Sequence, residues 1–392
     1  MLITRGLKSS IQRELDFFYR ETTKSDFNIR YATKGAFSQA RAKLNPSAFV
    51  EMTDTLVHTF YTEAPYKVWK GNMRVLAIDG SRLLLPNHPS VADEFGTHSF
   101  GPNADQPRSM ALTSILYDTI NLLTIDAQIA PYSSSESELM YKHLDKVEEG
   151  DLLLLDRFYP SVALFFFLTA RKINFCVRMK EDWWLAVKKF SESGEREEIV
   201  TFKLPKKDRD KLKDYPEMLN QKIKCRLVRI DLGNGEKEIL CSSLIDQEEY
   251  PYEDFDELYH HRWNIEEAYK LYKARIDMEN FSGKTAWAVK QDFFATVFTM
   301  TLCAFLAFPV EEQVKKEQEG SKNKHRYKIN RTSALRMTRD ISIGLFIRKN
   351  IMKALNSFDC IVENTLEIIR PNRHYQRKKK PKRLYHMNYK QL

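Results

Sequence analysis

Short apolar segments between residues 71 and 179 constrain the fold most, because their order predicts a sheet. "RVLAIDG", "MALTSILYD" and "NLLTIDAQIAP" are strand-like, and a tight turn at Asp118 separates the last two. After a helical segment at about 136–148 comes "DLLLLD", a continuous apolar run typical of a strand buried on both faces. Pro160 opens another helix, and "INFCVRM" is a fifth strand. The order β-β-β-α-β-α-β predicts an α/β fold with a mixed sheet and flanking helices.

Different sequence surrounds this unit. From about 179 to 250, "EEIVTFKL", "IKCRLVRIDL" and "KEILCSSLI" are strand-like, with a lysine- and aspartate-rich helix among them. The last two flank "GNG", a hairpin signal, so this part predicts an antiparallel β insertion. We expect three regions: helical residues 1–70, an α/β domain at 71–310 that contains the insertion, and helical residues 311–392 with a basic tail.

Residues 1–70 read as short helices, one of them capped by Thr33. They could form a small DNA-binding unit or an ordinary helical cap on the next domain. The polar side chains of the second helix that could serve DNA are Ser38, Gln39, Arg41 and Lys43.

The formal net charge of +9 on 392 residues comes from one end of the chain. Residues 370–392 hold nine Lys or Arg and no acid, and the remaining 53 basic residues balance 53 acidic ones. This tail is either a solubilising end or an arm that binds phosphates.

Five scattered cysteines without a CxxC pair indicate free thiols in a reducing compartment rather than a zinc module. The apolar run "FFATVFTMTLCAFLAF" (293–308) has sixteen residues and ends at Pro309. A membrane span needs about 20 residues, so we expect a buried core helix. With no signal peptide at its N-terminus, the chain is expected to be a soluble cytoplasmic protein without a membrane partner.

The segment "YHHRWNIEEAYKLYK" (259–273) mixes aromatic, acidic and cationic residues. If it is one continuous helix, a rotation of about 100° per residue places part of it on a stripe about 80° wide. The stripe residues are Tyr259, Arg262, Glu266, Lys270 and Lys273. Glu267 lies outside the stripe, and the adjacent His260 and His261 point to different sides, which argues against a zinc site. The competing interpretation is a solvated helix with a Glu266–Lys270 pair.

Asp79 and Asp156 each end an apolar strand, where a carboxylate has no structural role. The first and fourth strands of the predicted sheet are neighbours, so both carboxylates can face a helix that carries Glu266. Such a cluster is costly unless a divalent cation lies within it, and oxygen-only ligands favour Mg²⁺ or Mn²⁺. Two such ions support in-line phosphoryl displacement, with the Arg and Lys residues of the stripe holding phosphates. This set describes a polynucleotidyl transferase.

The motifs resemble those of the DDE transposases of insertion-sequence family four. The signature spacing Y-x2-R-x3-E-x6-K runs from Tyr259 to Lys273. "IDGSRLLLP" looks like the first-aspartate motif of that family, "GDLLLLDRFYPS" like its second and "RWNIEEAYKLYK" like its glutamate helix. "GAFSQARAKL" resembles a common N-terminal segment, and the β insertion also fits. The resemblance spans about residues 30–310.

The resemblance implies an RNase H-like core in which Asp79, Asp156 and Glu266 bind two metal ions. It implies metal-dependent cleavage at the terminal inverted repeats of an insertion sequence. The freed 3′-hydroxyl would then attack double-stranded target DNA, within a synaptic homodimer.

The resemblance also implies DNA contacts near the cut. The residues carried over to phosphates are Tyr259, Arg262 and Lys273. Arg157 follows the second aspartate, as in the family, and would support that carboxylate or DNA. Some relatives hold a flipped base with an aromatic of the insertion. Trp183 and Trp184 lie early in that region, where packing is the commoner role.

Two other classes compete with this interpretation. A DNA-binding protein could keep the fold without catalysis, but the intact carboxylate triad argues against it. A carboxylate-pair hydrolase acting on sugars would need two carboxylates and no metal. The cationic stripe and the basic tail have no use on a neutral polysaccharide.

Overall fold

The computed structural model describes residues 1–7, 10–99, 107–232, 236–319, 325–347 and 350–369. The basic tail at 370–392 and the "GNG" turn at 233–235 lie outside the described residues. The helices are α1 (Ile11–Thr23), α2 (Lys34–Ala42), α3 (Ser47–Glu63), α4 (Pro89–Phe95), α5 (Glu136–His143), α6 (Val162–Ala170), α7 (Leu185–Ser193), α8 (Asp254–His260), α9 (Trp263–Lys270), α10 (Ala286–Glu319), α11 (Arg331–Phe346) and α12 (Ile351–Glu363). The strands are β1 (Val75–Leu84), β2 (Thr97–His98), β3 (Arg108–Asp118), β4 (Leu123–Pro131), β5 (Leu152–Leu155), β6 (Asn174–Met179), β7 (Glu197–Lys203), β8 (Lys222–Asp231), β9 (Lys237–Ser242), β10 (Tyr327–Ile329) and β11 (Leu366–Ile368).

A nine-stranded mixed sheet organises the described residues, in the order β2-β3-β1-β5-β6-β9-β8-β7 with β4 also paired to β3. β1, β3 and β4 form an antiparallel meander. β5 runs parallel to β1, and β6 runs parallel to β5. The RNase H-like α/β fold is therefore confirmed, although α4 and the two-residue strand β2, which were not predicted, lie between the first two predicted strands.

β5 shows why "DLLLLD" predicted a strand buried on both faces. Leu152 and Leu154 belong to the apolar cluster on the side of α8, α9 and α10. Leu153 and Leu155 belong to the cluster on the side of α6 and α7. None of the four leucine side chains is exposed to solvent, because helices cover both faces of this central strand.

The prediction that Asp79 ends a strand is wrong. β1 pairs with β3 as far as Leu84, but its parallel pairing with β5 stops at Ala77 and Leu154. Because β5 ends at Leu155 while β3 continues, β1 beyond Ala77 keeps a partner strand on one side only. Asp79 lies at this step in the sheet, where the gap left by β5 gives its side chain room.

The β insertion continues the central sheet. β9 pairs antiparallel with β6, β8 with β9 and β7 with β8. In place of the predicted lysine- and aspartate-rich helix, Lys206–Leu212 form a 3₁₀ helix. The α/β core and the insertion thus share one sheet, and the apolar layer on the side of α6 and α7 includes residues of both.

α10 extends beyond the apolar run 293–308 at both ends. It contains Pro309 and continues to Glu319. Val310 and Val314 still pack against apolar residues of α11 and α12, which holds the helix together past the missing N–H. By length and hydropathy α10 could cross a membrane, yet 67% of its apolar window is buried inside the protein. The helix therefore packs as the core helix that we expected.

The N-terminal helices pack against α10. Thr33 caps α2 as predicted, since its hydroxyl accepts a hydrogen bond from the N–H of Ala36 at 3.2 Å. Arg41 is only 8% exposed and donates to Gln291 at 2.6 Å and to Asp292 at 2.7 Å. The guanidinium of Arg41 thus anchors α2 to α10 instead of facing DNA.

Candidate active site

Two aspartates lie at the same level of the sheet, Asp79 within β1 and Asp156 directly after β5. The parallel register pairs Ala77 of β1 with Leu154 of β5. Asp79 and Asp156 each follow two residues after these partners. Both side chains are half-buried. The N–H of Gly80 donates to Asp79 Oδ1 at 2.9 Å. In the same way, the N–H of Arg157 donates to Asp156 Oδ1 at 2.7 Å. The step at the end of β5 therefore brings two carboxylates together at one edge of a buried strand.

Hydrogen bonds to its carbonyl oxygen hold the backbone of Asp79. The hydroxyl of Tyr269, on α9, donates to this oxygen at 2.9 Å. The hydroxyl of Ser114, on β3, donates to it at 3.3 Å. Since Tyr269 lies three residues after Glu266, the first bond fastens the helix of the predicted third carboxylate to the strand of the first.

Arg262 links the three predicted carboxylates. It is 4% exposed, and its Nη2 donates to Glu266 Oε1 at 2.9 Å. Burial lowers the pKa of Arg262, but Tyr259, Glu266 and Asp156 outweigh that effect, so the net pKa is raised. The positive charge of Arg262 in turn lowers the pKa of Asp79. One buried guanidinium therefore acts on all three acids.

The segment from Tyr259 to Lys273 is not one continuous α-helix, so the condition on which the stripe was predicted is not met. α8 ends at His260, α9 begins at Trp263, and Leu271–Arg275 form a π-helical turn. A π turn closes over more residues than an α turn, so side chains beyond it rotate out of the α-helical phase. The wheel of a straight helix consequently does not describe the five stripe residues.

The stripe residues occupy different environments. Tyr259 is 3% exposed, and its hydroxyl donates to the carbonyl of Leu155 at 3.2 Å. Lys270 is exposed and forms an ion pair with Glu267, so the alternative Glu266–Lys270 pair is replaced by this one. Lys273 Nζ donates to a backbone carbonyl of β1 at 2.6 Å. Burial lowers the pKa of Lys273, although nearby acids oppose the shift.

Arg157 is exposed beside the second aspartate, and its guanidinium lies 5.8 Å from the ring centroid of Phe158. Lys180 lies 5.0 Å from the same centroid and 4.8 Å from that of Trp183. Trp184 packs edge-on against Phe165 of the core. Of the two tryptophans considered from the sequence, Trp183 faces solvent next to cations and Trp184 serves packing.

The electrostatics of Asp79 are those of a crowded acid. The pKa of Asp79 is raised to about 7, mainly by burial and to a smaller extent by the charges of Glu136 and Glu266, against the opposing effects of Arg262 and of the Gly80 N–H. Near neutral pH this carboxyl therefore holds a proton for much of the time unless a cation takes the place of that proton.

The donor set fits Mg²⁺ or Mn²⁺, since all candidate ligands are carboxylate oxygens. In the part of the chain that the structure describes, no group of three or more acids, histidines or cysteines stands close enough to cage an ion. Mg²⁺ is usually bound through one or two carboxylates with water and substrate phosphate, and Asp79 and Asp156 supply such a pair. Among the described residues, the buried Tyr159 hydroxyl and Arg262 Nε have no hydrogen-bond partner. Both atoms are therefore free to form a hydrogen bond with a bound group.

The sequence pattern did not single out Glu136 and Tyr159. Glu136 lies in the first turn of α5, where acids are common because they favour the helix dipole. Tyr159 follows Asp156 by three residues and is 4% exposed. Burial raises the pKa of the Tyr159 hydroxyl well above its ordinary value, and the charges of Asp79, Glu136 and Asp156 add to this shift. The "DRFYP" segment carried a signal for Tyr159, whereas Glu136 had none beyond helix capping.

The sheet topology is that of an RNase H-like fold, with two aspartates at the level where the central strand β5 ends. Residues 70–302 match the family described as "Transposase DDE domain", and the chain belongs to that family. All three predicted acids and the whole of 259–273 lie within the matched residues. The chain is similar to "Transposase InsG for insertion sequence element IS4" of Escherichia coli (strain K12), with 24% identity over 297 residues. The predicted resemblance to insertion-sequence family four is thereby confirmed.

The match to InsG covers 74% of this chain and 64% of the relative, so the chain spans less than two thirds of the length of that protein. A solved structure of a piggyBac transposase synaptic complex with hairpin DNA is also similar. The identity there is 12% and the TM-score 0.43, with 89% of this chain and 67% of the other covered.

Proposed function

We propose that this protein is a cut-and-paste transposase that uses Mg²⁺ or Mn²⁺ to cleave the terminal inverted repeats of an insertion sequence. The freed 3′-hydroxyl then attacks target DNA. The observation that carries this proposal is the buried Arg262, which donates to Glu266 and interacts electrostatically with Asp79 and Asp156, two residues at the same level of the β1–β5 register. Burying several charged groups close together beside an apolar sheet lowers the stability of the fold. A purely structural role would not offset this loss.

The protein's residues divide the work by position. Asp79 and Asp156 would hold two cations from the strand side, and Glu266 would hold them from the helix side. When bound, divalent cations at these residues would activate a water or hydroxyl and neutralise charge at the leaving oxygen. Arg262 orients the carboxylate of Glu266 through their 2.9 Å hydrogen bond. Tyr269 keeps the backbone of Asp79 in place.

DNA phosphates would meet the exposed cations around this site. Lys270 and Arg157 have solvent-facing side chains, and Lys273 lies half-buried next to β1. Tyr259 and Arg262 are buried, so they would reach phosphate only where DNA displaces their present partners. Arg157 and Lys270 are therefore proposed as the first phosphate contacts.

Residues 1–70 and the basic tail at 370–392 are the candidate end-binding regions, and residues 71–310 are the proposed catalytic domain. The boundary at 310 falls inside α10, so the catalytic and C-terminal regions share this helix. We propose that a homodimer holds two element ends and that it acts on DNA in the cytoplasm. Sedimentation with and without end DNA tests this assembly, and a monomer with both ends bound would contradict it.

The central test is E266Q in a Mg²⁺-dependent nicking assay on end DNA. Losing a cation ligand removes several kcal/mol of transition-state stabilisation, so nicking should fall by at least about 1,000-fold. Binding to end DNA should stay unchanged. E267Q is the matched control, because the neighbouring Glu267 is exposed and pairs with Lys270. Nicking by E266Q at the wild-type rate, or an equal loss in E267Q, would refute the proposed site.

A further inference from the structure

Helix α5 crosses the sheet beside Asp79, and a buried polar network fixes one end of it. His143, the last residue of α5, is fully buried. Its Nδ1 donates to Asp126 Oδ2 at 2.7 Å, and its Nε2 lies 2.9 Å from Ser114 Oγ. Since Asp126 is on β4 and Ser114 on β3, this network sets the position of α5 on the sheet.

The other end of α5 delivers Glu136 to β1. A Cβ atom added to Gly80 would lie 2.9 Å from Cδ and 3.3 Å from Oε1 of Glu136. Real side chains do not approach so closely, so the carboxyl group of Glu136 lies directly against the Cα of Gly80. Any side chain at position 80 would force the carboxyl group of Glu136 to move. The carboxyl group therefore reaches the residue next to Asp79.

Tyr159 provides an independent observation at the same place. Its side chain is 4% exposed, and its hydroxyl has no hydrogen-bond partner among the described residues. The hydroxyl lies near enough to Asp79, Glu136 and Asp156 for the charge of each to raise its pKa. Buried polar atoms are nearly always hydrogen-bonded, so an unpartnered one between acids indicates a group that binds there.

We propose that Glu136 is a fourth carboxylate of the cation site, binding the divalent cation together with Asp79. This inference rests on the proposed function, because it assigns a further ligand to the same site. An acid that served only the dipole of α5 would project into solvent, as Glu138 does on the same helix. Glu136 instead lies against the strand that carries Asp79, where a second negative charge has a use only if a cation is bound.

The test is Mn²⁺ binding by the full-length protein without DNA, measured by electron paramagnetic resonance of free Mn²⁺. E136Q should weaken Mn²⁺ binding about 10- to 100-fold, with an unchanged circular dichroism melt. The control E138Q removes an exposed acid of the same helix and should bind Mn²⁺ like the wild type. Wild-type affinity in E136Q, with D79N weakened, would overturn the role of Glu136 alone. Wild-type affinity in D79N as well would overturn the proposed cation site itself.

A double-mutant cycle with Gly80 makes the test independent of charge removal. G80A adds a methyl group where the carboxyl of Glu136 lies, so it should weaken Mn²⁺ binding by displacing that carboxyl. In an E136A background the space is empty, and G80A should then change the affinity by less than about twofold. Equal effects of G80A in both backgrounds would show that Glu136 does not bind the cation.

Discussion

Two polar clusters lie on neighbouring strands of one sheet and on the helices packed against it, and they differ in how many of their hydrogen bonds are satisfied. The relay cluster, Ser114, His143 and Asp126, has the residue types of a hydrolase triad at 2.7 and 2.9 Å. Ser114 and His143 are fully buried and Asp126 is 7% exposed, so no substrate reaches them. The cluster is a structural clamp despite its catalytic composition.

The carboxylate cluster, Asp79, Asp156 and Glu266, shows the opposite properties. Its acids are half-buried and open to solvent on one side. The neighbouring Tyr159 hydroxyl and Arg262 Nε have no hydrogen-bond partners within the described residues. Residue type alone would have favoured the relay cluster as an active site. Access and unmet hydrogen-bonding capacity point to the carboxylate cluster instead.

The largest effect on stability is expected from D126N in the relay cluster. Burial raises the pKa of Asp126, but hydrogen bonds from His143 and Gln128 outweigh it, so the net pKa is lowered. Ionised Asp126 thus stabilises the fold above about pH 4, and this contribution is lost as the pH falls through the folded-state pKa. Urea unfolding at pH 7 should show a loss of about 2–3 kcal/mol in D126N.

The same experiment repeated at low pH sharpens the assignment. As the pH falls through the lowered folded-state pKa of Asp126, the wild type loses the charge that D126N lacks, so the two stabilities should converge. A difference independent of pH would mean that the ionised state of Asp126 contributes nothing to the clamp.

A smaller and opposite pair of effects is expected from Y159F and S114A. Y159F removes a buried hydroxyl without a described partner, so the free energy of unfolding should stay the same or rise by about 1 kcal/mol. S114A leaves His143 Nε2 unpartnered and should cost about 1–2 kcal/mol. Urea unfolding of both variants without divalent cations measures the difference. A loss in Y159F as large as in S114A would remove the distinction between the clusters.

The smallest effect on stability is expected from K270A, outside both clusters. Its exposed ion pair with Glu267 is worth at most about 0.5 kcal/mol. If Lys270 binds phosphate, the slope of log affinity for end DNA against log salt should fall by about one unit. K188A, which removes an exposed cation paired with Glu192 on α7, is the control. Equal slopes in wild type and K270A would exclude the phosphate contact.

The sheet topology could be predicted from the sequence because each apolar run fits one position in the sheet. "DLLLLD" needed cover on both faces, which made β5 a central strand beside β1. The sequence could not show that β1 continues past Asp79, because strand length there depends on β3 rather than on local propensity. Nor could it show the π turn after Lys270, whose residues suit an ordinary helix. Glu136 escaped detection because a capping acid and a site acid look alike in sequence.

Helix α10 belongs to several apolar clusters at once. Phe293 lies in the core beside the sheet, and Ala295 packs with residues of the N-terminal region. Phe308 packs against Phe60 of α3, while Val310 joins the cluster of α11 and α12. Truncation at residue 310 would expose apolar surface on either fragment. For anyone preparing fragments of this protein, the natural unit to express is the whole molecule, and limited proteolysis should find little to cut between 286 and 319.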